Sequence, residues 1–545
     1  MQATEFNLLQ EPWIRVRMRD YTVKEVSLTD ALLHAQEYVD LAGEMPTQDA
    51  AMLRLLLAVL HTVFSRVDAK GDPAPLVTTD KALLRWGELW KLGHFPEQPL
   101  RDYLDKWQER FWLFHPERPF WQVPEAKIGT EYAASKLNGE LSESESKLRL
   151  FPSYAGNGKA KLSYAQAARW LLHVNGYDDT SSKPDGKGLP SISIGWLGKL
   201  GYIQAQGKNL FETLMLNLTF LQDGTKLWGE NHPCWELDVP RSAERTEIAL
   251  PDNPAQLLTL QSRRLLLHRE EAMVTGCILL GGDFFKQENA FAEQMTVWRD
   301  QDPKQSKKTG TYIFVPNRHD PSQQFWRELP AVFCEEGGGT RTPGVVRWAE
   351  LLQSNQGHQL DRRRMVCFRI SGMKYDNSIS HVVQDSFSDS LTFQAELLES
   401  LNRAWRTRIT TEIGNCERAA KIVGHLSQEL ALAASGRKNA DSEAARAQFY
   451  FRIDQPFRRW LQSIDPEMDD KDEKMAQWQE QAHQIAKELG RQMVEQAGTA
   501  AFVGHRIKDR NNEKKSYLYT APKAHNKFLY ALRKLYPKKD EGGTA

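Results

Sequence analysis

Two glycine–lysine segments contain the residue types that a phosphate-binding loop requires. Gly186-Lys187-Gly188 and Gly195-Trp196-Leu197-Gly198-Lys199 lie in a region, residues 150–210, that is rich in Gly, Ser, Pro and Lys. Glycine lets a backbone approach a ligand closely, and a nearby lysine supplies positive charge for a phosphate. The alternative, which local sequence alone favours, is that these glycines only form turns. The two segments are candidate binding loops with that alternative open.

Two further polar segments have similar potential. Lys304-Gln305-Ser306-Lys307-Lys308-Thr309-Gly310 is predicted to be a basic loop, and its alternative is a solvated hairpin. Gly372-Met373-Lys374-Tyr375-Asp376-Asn377-Ser378 is a polar turn after the strand-like run MVCFRIS, and its alternative is an ordinary loop. Lysine and asparagine side chains at such turns can contact the backbone or the base edges of a nucleic acid.

Sequence signatures of catalysis are missing. The chain has no HExxH, CxxC, GxSxG or GxxxxGK[ST] motif. The segment 201–209, GYIQAQGKN, has one residue too many for a P-loop, and Asn209 stands where a hydroxyl would bind Mg²⁺. His319-Asp320 is an HD dipeptide in a predicted loop, where a surface turn is the favoured interpretation. A metal-dependent nuclease using His319 and Asp320 is the less favoured alternative.

The charge balance limits the kinds of partner. Lys and Arg number 71, Asp and Glu also number 71, and the formal net charge is zero. A protein that binds nucleic acid alone usually has a basic surplus, because affinity depends largely on phosphate neutralisation. The balance therefore argues against a stand-alone DNA-binding protein. It allows a local basic patch, or a subunit whose partners hold most of the nucleic acid.

The cysteines and the N-terminus predict a cytoplasmic protein. Five scattered cysteines, none in a CxxC pair, favour reduced thiols over a disulfide framework. The start contains Glu5 and Glu11 and no apolar signal-peptide region, and no uncharged run approaches the ~20 residues of a membrane span.

The helices and strands predicted around these segments indicate an α+β protein. FNLLQEPWIRVRM and YTVKEVSL indicate two short strands around the turn Arg19-Asp20, and residues 52–63 (MLRLLLAVLHTV) indicate a buried helix. Strand-like runs alternate with polar connections over residues 245–385. We therefore predict a large mixed α/β domain, residues 1–388, followed by a C-terminal four-helix bundle, residues 389–545.

The bundle prediction depends on helical periodicity. Apolar residues recur at three- and four-residue steps on one face, at Leu398, Leu401, Trp405, Ile409, Ile413, Cys416, Ala420 and Val423. The end of the bundle is basic, with four aromatic residues interleaved: Tyr517, Tyr519, Phe528 and Tyr530. This end could follow a nucleic-acid backbone and stack bases. A soluble helix with solvated lysines is an equally good interpretation.

Two motifs resemble one family. FNLLQEPWIRV, with Asn7-Leu8-Leu9 and Trp13-Ile14, is similar to the N-terminal signature of the CasA family, the large subunit of the type I-E CRISPR Cascade complex. Glu117-Arg118-Pro119-Phe120-Trp121-Gln122 is similar to a second segment of that family. The order of features, a mixed domain and then a four-helix bundle, also agrees over nearly the whole chain.

The resemblance implies a non-enzymatic subunit of an RNA-guided antiviral complex. Such a subunit recognises the protospacer-adjacent motif (PAM) in double-stranded DNA, promotes duplex opening and R-loop formation, and helps to recruit the helicase-nuclease. Its implied partners are the other Cascade subunits, the CRISPR guide RNA, target double-stranded DNA and the helicase-nuclease. An adaptor subunit that reads no sequence is the alternative.

The resemblance also implies which residues do this. DNA and PAM contacts are expected at Gly186, Lys187, Gly188, Gly195, Gly198, Lys199, Lys307, Lys308, Asp376, Asn377 and Ser378. Phe151 and Tyr154 would form the loop that contacts the guide and a neighbouring subunit. Ser378 is smaller than the glutamine that the family often has at its wedge tip. Residues 257–285 contain only Cys277, so we predict no zinc, and no cofactor is implied.

Overall fold

The structure is a computed structural model that describes residues 4–141, 143, 150–180, 183, 188–333, 339–354, 359–376, 383–508 and 516–537. The chain divides into two compact units: residues 1–325 with 331–390, and residues 326–330 with 391–545. Helices and strands are mixed in the first unit, and long helices dominate the second. The predicted α+β fold class is confirmed.

The strands are short, and most of them belong to the first unit. In chain order they are β1 (Glu5–Asn7), β2 (Ile14–Arg17), β3 (Val23–Val26), β4 (Asp40–Leu41), β5 (Trp112–Phe114), β6 (Thr130–Ala133), β7 (Gly201–Gln206), β8 (Leu221–Gln222), β9 (Lys226–Leu227), β10 (Arg263–Glu270), β11 (Met273–Gly281), β12 (Thr296–Asp300), β13 (Phe314–Pro316), β14 (Met365–Tyr375), β15 (Val383–Gln394), β16 (His505–Lys508) and β17 (Ser516–Tyr519).

The α-helices range from single turns to nine turns. In chain order they are α1 (Leu28–Leu33), α2 (Pro46–Arg66), α3 (Thr79–Leu92), α4 (Glu97–Lys106), α5 (Ala134–Leu137), α6 (Asn157–Ala160), α7 (Tyr164–Tyr177), α8 (Trp196–Lys199), α9 (Leu210–Asn217), α10 (Pro254–Leu258), α11 (Pro303–Thr309), α12 (Leu329–Val332), α13 (Gly344–Gln353), α14 (Arg403–Ser435), α15 (Ser442–Gln462), α16 (Lys471–Glu495), α17 (Gly498–Val503) and α18 (Ala521–Leu535).

A five-stranded sheet organises the first unit, in the order β13-β12-β7-β14-β15. The central strand β7 pairs antiparallel with β12, through Val297 and Gly201, and antiparallel with β14, through Ile370 and Ile203. Strands that are far apart in sequence therefore become neighbours on either side of β7. A three-stranded sheet, β10-β11-β6, belongs to the same unit.

The predicted buried helix is confirmed as part of α2, which is buried on nearly all sides. Arg54 differs from its neighbours in α2 because it is a charged residue within an apolar run. Its guanidinium donates two hydrogen bonds to Glu293, of 2.8 and 2.9 Å, and both side chains are almost fully buried. A buried charge is tolerated only when it is paired in this way.

The N-terminal signature segment is structural. Leu8, Trp13, Ile14 and Val16 are all fully buried, and the Trp13 indole donates to the Leu8 carbonyl at 2.8 Å. Strand β2 starts directly after Pro12-Trp13 and pairs with β3, while β1 pairs with β5. Pro12 therefore lies just outside the ladder, where its missing N–H costs nothing.

The second signature segment is also structural. The Gln122 side chain donates to the Leu113 carbonyl at 2.6 Å and accepts from the Leu267 backbone N–H at 2.9 Å. It therefore joins two segments that are distant in sequence. Both motifs that carry the family resemblance therefore contribute buried side chains to the core.

The second unit is a bundle of the four long helices α14, α15, α16 and α18, with α17 and the β16-β17 hairpin between the last two. The predicted buried face holds from Trp405 to Val423. It was wrong at Leu401, which is 81% exposed, because α14 begins only at Arg403. Among the described residues, no helix has the length and apolar character needed to cross a membrane.

Residues 326–330 correct the predicted domain boundary. They are separated in sequence from the bundle, yet Trp326 is fully buried and stacks on Phe457 of α15, with ring centroids 4.3 Å apart. The Trp326 indole also donates to Asp454 at 2.9 Å. This short segment completes the bundle core. Its position in the sequence, before β14 and β15, gave no indication of that role.

Candidate functional site

The predicted glycine segments have different environments. Gly186 and Lys187 lie outside the described residues. Gly188 is exposed, has a positive φ of 77°, and has open space where a Cβ would stand. Gly188 therefore has the accessible backbone that a ligand-binding turn requires.

Gly195 and Gly198 are buried, so they serve close packing instead of exposing backbone. A Cβ on Gly195 would collide with the Gly176 carbonyl at the end of α7, and a Cβ on Gly198 would collide with the Tyr375 hydroxyl. The Gly195 N–H donates to the Asp178 carbonyl at 3.0 Å. The expected loop is thus in part the single-turn helix α8, packed directly on α7 and on the end of β14.

A buried ionic cluster anchors the start of this region. The Asp178 carboxylate forms ion pairs with Lys136 at 2.9 Å, with Lys183 at 2.8 Å and with Arg263, which also donates a hydrogen bond to it, at 2.6 Å. Burial alone would raise the pKa of Asp178, but the three cations outweigh it and hold that pKa well below its usual range. Arg263 also donates to the Ser193 carbonyl at 2.9 Å. The two ends of the glycine-rich region are therefore tied to β10.

Tyr375, the last residue of β14, connects the predicted hairpin to the glycine-rich region. Its hydroxyl donates to the Tyr177 carbonyl at 2.7 Å and lies against Gly198. The Arg318 guanidinium stands 5.8 Å from the centre of its ring. Burial raises the pKa of Tyr375 well above its ordinary value, so the hydroxyl stays a donor. The position of the hairpin base is thus fixed by one buried side chain.

These elements surround an open cleft of about 780 Å³, which we call the basic cleft. It is lined by α8, the segment 316–321, the end of β14 and the start of β15. Among the described residues, its lysine, arginine and carboxylate side chains are four cations and two carboxylates: Lys199, Arg299, Arg318, Lys374, Asp320 and Asp376. The cleft brings together the predicted residues Gly198, Lys199 and Asp376. Asn377 and Ser378 fall outside the described residues.

The pKa of Lys199, which lines the basic cleft, is strongly perturbed. Burial, and then the positive charges of Arg263 and Arg245, lower its pKa to about 8. An ammonium group in such surroundings gains more from a bound anion than a solvated lysine does. Its environment is therefore suited to a phosphate.

The predicted basic loop is a helix, α11, which corrects both the loop and the hairpin interpretations. The Asp302 side chain caps it by accepting from the N–H groups of Lys304 at 3.1 Å and Gln305 at 3.0 Å. Gly310, with a φ of 72°, ends it. Lys307 and Lys308 lie exposed in its last turn, and among the described residues they are not part of the lining of the basic cleft.

The predicted guide-contact loop is exposed at one residue and partly covered at the other. Phe151 is 93% exposed, next to Leu150, which is 90% exposed. Tyr154 is partly buried, and burial followed by the nearby Glu140 carboxylate raises its pKa. The two adjacent exposed side chains leave an apolar surface at this loop, which is compatible with the predicted contact.

His319 and Asp320 serve local structure. The buried His319 ring is bonded through Nε2 to the Tyr202 carbonyl at 3.0 Å, and Asp320 accepts from the Ser322 hydroxyl at 2.7 Å. Within the described ranges, no group of three or more His, Cys, Asp or Glu residues could hold a metal ion.

The basic end of the bundle is less available for stacking than its sequence predicted. Tyr519 and Phe528 are buried, and the Tyr519 hydroxyl donates to Glu429. Tyr530 is 72% exposed and Tyr517 is 44% exposed, with the Lys523 ammonium 5.7 Å from its ring centre. The prediction of four stacking aromatics is therefore reduced to two.

Sequence reasoning missed Arg299 and Arg318, and although it singled out the segment 372–378 it assigned no binding role to Lys374 or Tyr375. They come from β12, the segment after β13, and β14. Each looks ordinary in its local sequence, and only the strand order of the sheet brings them to one cleft.

Comparison with known proteins assigns the family. The family model for CRISPR-associated protein Cse1 matches residues 7–489. CRISPR-associated protein CasA/Cse1 from Thermus thermophilus is 30% identical over 449 residues, covering 80% of each chain. The crystal structure of Thermobifida fusca Cse1 is 30% identical with a TM-score of 0.82, covering 98% of each chain. A chain in a structure described as a CRISPR RNA-guided surveillance complex shares the fold, at 17% identity and a TM-score of 0.70, over 97% of this chain and 100% of that chain. This chain belongs to the CRISPR-associated protein Cse1 family.

Proposed function

We propose that this chain is a non-enzymatic subunit of a type I-E Cascade surveillance complex that recognises the PAM in double-stranded DNA. In this role it promotes duplex opening and R-loop formation, and it helps to recruit the helicase-nuclease. The guide RNA reads the long target sequence by base pairing, so the protein has to read only a short flank. The family membership and the fold shared with a chain of a surveillance complex support the proposal.

One observation carries the proposal. Gly198, Lys199 and Asp376 all line the basic cleft, and Asp376 directly precedes Asn377 and Ser378 in the sequence. A lysine, held in place by the close packing of Gly198 on Tyr375, and the end of β14 at one open cleft are the parts that a duplex end would meet. Helix α11, which follows β12 in the chain, presents Lys307 and Lys308, two exposed cations in its last turn.

The test measures DNA binding by the assembled complex with its guide RNA. We expect Lys307→Ala with Lys308→Ala to weaken binding to a PAM-bearing duplex at least about fivefold, since a specific base contact contributes ~1 kcal/mol or more. The matched control is Lys81→Ala with Lys91→Ala, which removes two exposed lysines from α3. Guide-RNA retention should be unchanged in both variants.

Three results separate this function from its alternatives. Unchanged binding of the Lys307/Lys308 variant would remove those lysines from the site. Equal binding of PAM-bearing and PAM-lacking duplexes by the unmodified complex would indicate an adaptor subunit that reads no sequence. Cleavage of DNA by the isolated chain with Mg²⁺ or Mn²⁺, lost in His319→Ala, would indicate a nuclease; we expect no cleavage.

A further inference from the structure

The helical unit contains an open pocket of about 520 Å³, which we call the bundle pocket. It is lined by the first part of α14, the first half of α16 and the residues where α18 ends. On each of the two long helices the lining residues recur at three- and four-residue steps, so each helix turns one face towards the pocket. The pocket shares no residue with the basic cleft or with α11, so its chemistry is independent of the proposed function.

The bundle pocket is acidic. Among the described residues, its charged side chains are one guanidinium and three carboxylates: Arg408, Glu412, Asp472 and Glu480. Arg408 forms its ion pair with Asp472 and not with Glu412. The pocket therefore has an excess of negative charge, which attracts cations.

Glu412 is a buried carboxylate that forms no ion pair with any described residue. It is 2% exposed, and its oxygens accept hydrogen bonds from the side-chain amides of Asn415 at 3.0 Å and Gln479 at 2.6 Å. Burial raises the pKa of Glu412, and these hydrogen bonds and the charge of Arg418 offset that effect only in part. The Arg418 guanidinium itself donates to Asn415. The Glu412 carboxylate is thus held in place without a cation beside it.

The other buried glutamate of α14 has the opposite environment. Glu429 forms ion pairs with Lys438 at 2.6 Å and with Lys527 at 3.0 Å. Burial acts to raise its pKa, but hydrogen bonds from Lys438, Tyr519 and Lys527 lower it to about 2. A buried carboxylate is stable when it is paired in this way. Glu412 lacks such a partner and lines an open pocket through which a cation can enter.

A second buried polar group in the bundle pocket lacks a strong partner. Tyr536 is 5% exposed, and among the described residues its hydroxyl makes no hydrogen bond of good geometry. The Cys416 thiol lies close to it, but a thiol is only a weak hydrogen-bonding group. Burial, and then the Cys416 and Glu412 side chains, raise the pKa of Tyr536, so the hydroxyl keeps its proton. Glu412 and Tyr536 are therefore close enough to contact one ligand.

The acidic lining is elongated. Asp472 and Glu480 are eight residues apart on α16, which is roughly 12 Å along the helix axis. A single metal ion cannot reach carboxylates over such a length, and within the described ranges no group of three or more His, Cys, Asp or Glu residues could hold one. Met475 and Ala476 lie between the two carboxylates on the same face and supply apolar surface on which methylene groups can pack.

We propose that the bundle pocket binds a free aliphatic polyamine. One ammonium group donates to the Glu412 carboxylate and to the Tyr536 oxygen. The methylene chain packs on Met475 and Ala476, and a second ammonium group lies near Glu480. The charge-assisted hydrogen bond removes the cost of a buried carboxylate without a partner. Because the ligand binds only the folded unit, it also raises the stability of the bundle.

The experiment titrates the full-length chain with spermidine in a calorimeter at neutral pH and constant ionic strength. We expect spermidine to bind and to raise the thermal unfolding temperature. Glu412→Gln keeps the shape of the side chain and removes its charge, so it should weaken spermidine binding about tenfold. Tyr536→Phe removes only the hydroxyl and should weaken binding about threefold. The matched control, Glu473→Gln, removes an exposed carboxylate of α16 outside the pocket lining and should leave binding unchanged.

Four results would overturn the proposal. The first is the absence of spermidine binding to the unmodified chain. The second is equal weakening by Glu412→Gln and Glu473→Gln, which would indicate a diffuse effect of surface charge. The third is butylamine binding as tightly as spermidine, which would indicate a site for a single cation. The fourth is displacement of spermidine by Mg²⁺ as effectively as by putrescine, which would indicate unselective attraction of cations. If circular dichroism shows that Glu412→Gln is unfolded, Tyr536→Phe and Glu480→Gln decide the question against the same control.

Discussion

Raising the pH from 7 to 9 should weaken duplex binding because of one lysine. Burial and the charges of Arg263 and Arg245 lower the pKa of Lys199 to about 8 in the free protein. A phosphate beside the ammonium group favours its charged form, so binding raises the pKa towards or above the ordinary value of about 10.4. The bound state therefore holds more protons than the free state in this pH range. By linkage, affinity must fall as the pH rises through 8.

The size of the effect follows from the two protonation states. With a pKa of about 8, the free lysine is about 90% charged at pH 7 and about 10% charged at pH 9. The bound lysine stays charged throughout. The affinity for duplex should therefore drop about tenfold over these two pH units, with an uptake of about half a proton per binding event at pH 8.

Two variants make the assay specific. Lys199→Arg keeps the positive charge but does not titrate in this range, so its affinity should be independent of pH. Lys199→Met should bind weakly at every pH. Fluorescence anisotropy with a labelled duplex at constant ionic strength gives the affinities. Calorimetry in two buffers with different ionisation enthalpies gives the proton uptake.

The neighbours of Lys199 determine what would refute the reasoning. Lys183, in the ionic cluster around Asp178, also has a pKa lowered by burial to about 8, and His319 lines the same cleft. If Lys199→Arg shows the same pH dependence as the unmodified protein, then other groups cause the effect. Lys199 would then have no phosphate beside it.

Two more predictions concern packing. Gly198→Ala should push the Tyr375 hydroxyl out of place, lower the stability of the first unit by about 1–3 kcal/mol in urea unfolding and weaken duplex binding; an unchanged urea midpoint would contradict the close contact. Trp326→Ala should destabilise the helical unit by about 3–5 kcal/mol, because it removes the ring that stacks on Phe457. Phe451→Ala, at a site 83% exposed in the same bundle, should change stability by less than about 0.5 kcal/mol, with both bundle variants measured by urea unfolding. Equal effects of the last two substitutions would show that Trp326 is not part of the bundle core.

The fold could be predicted from the sequence where periodicity was strong and local. The apolar run within α2 and the helical face from Trp405 to Val423 are buried as expected. Helix α11 was missed because it is short and has only Ser306 buried, which leaves no apolar pattern to detect. Its end signals were nevertheless present, since Asp302-Pro303 and Gly310 are typical of a helix start and stop.

The candidate site was only partly predictable, for a topological reason. Gly198, Lys199 and Asp376, which were candidates from the sequence, line the basic cleft in the structure. Arg299 and Arg318 could not be found, because they reach the cleft through strand pairings that join residues more than 90 positions apart. No local pattern reports which strand will lie beside β7. The family resemblance identified candidate loops, whereas the order of strands in the sheet determines which charged side chains line the basic cleft.

The placement of Trp326 in the bundle core has a consequence for how the protein is made. A ribosome synthesises Trp326 roughly 130 residues before its stacking partner Phe457, which at about 5–20 residues per second is a delay of roughly 7–26 s. During that time the indole has no native partner in the bundle. The helical unit can complete its core only after most of the chain has emerged. The nascent chain therefore carries this indole as exposed apolar surface until α15 has been synthesised.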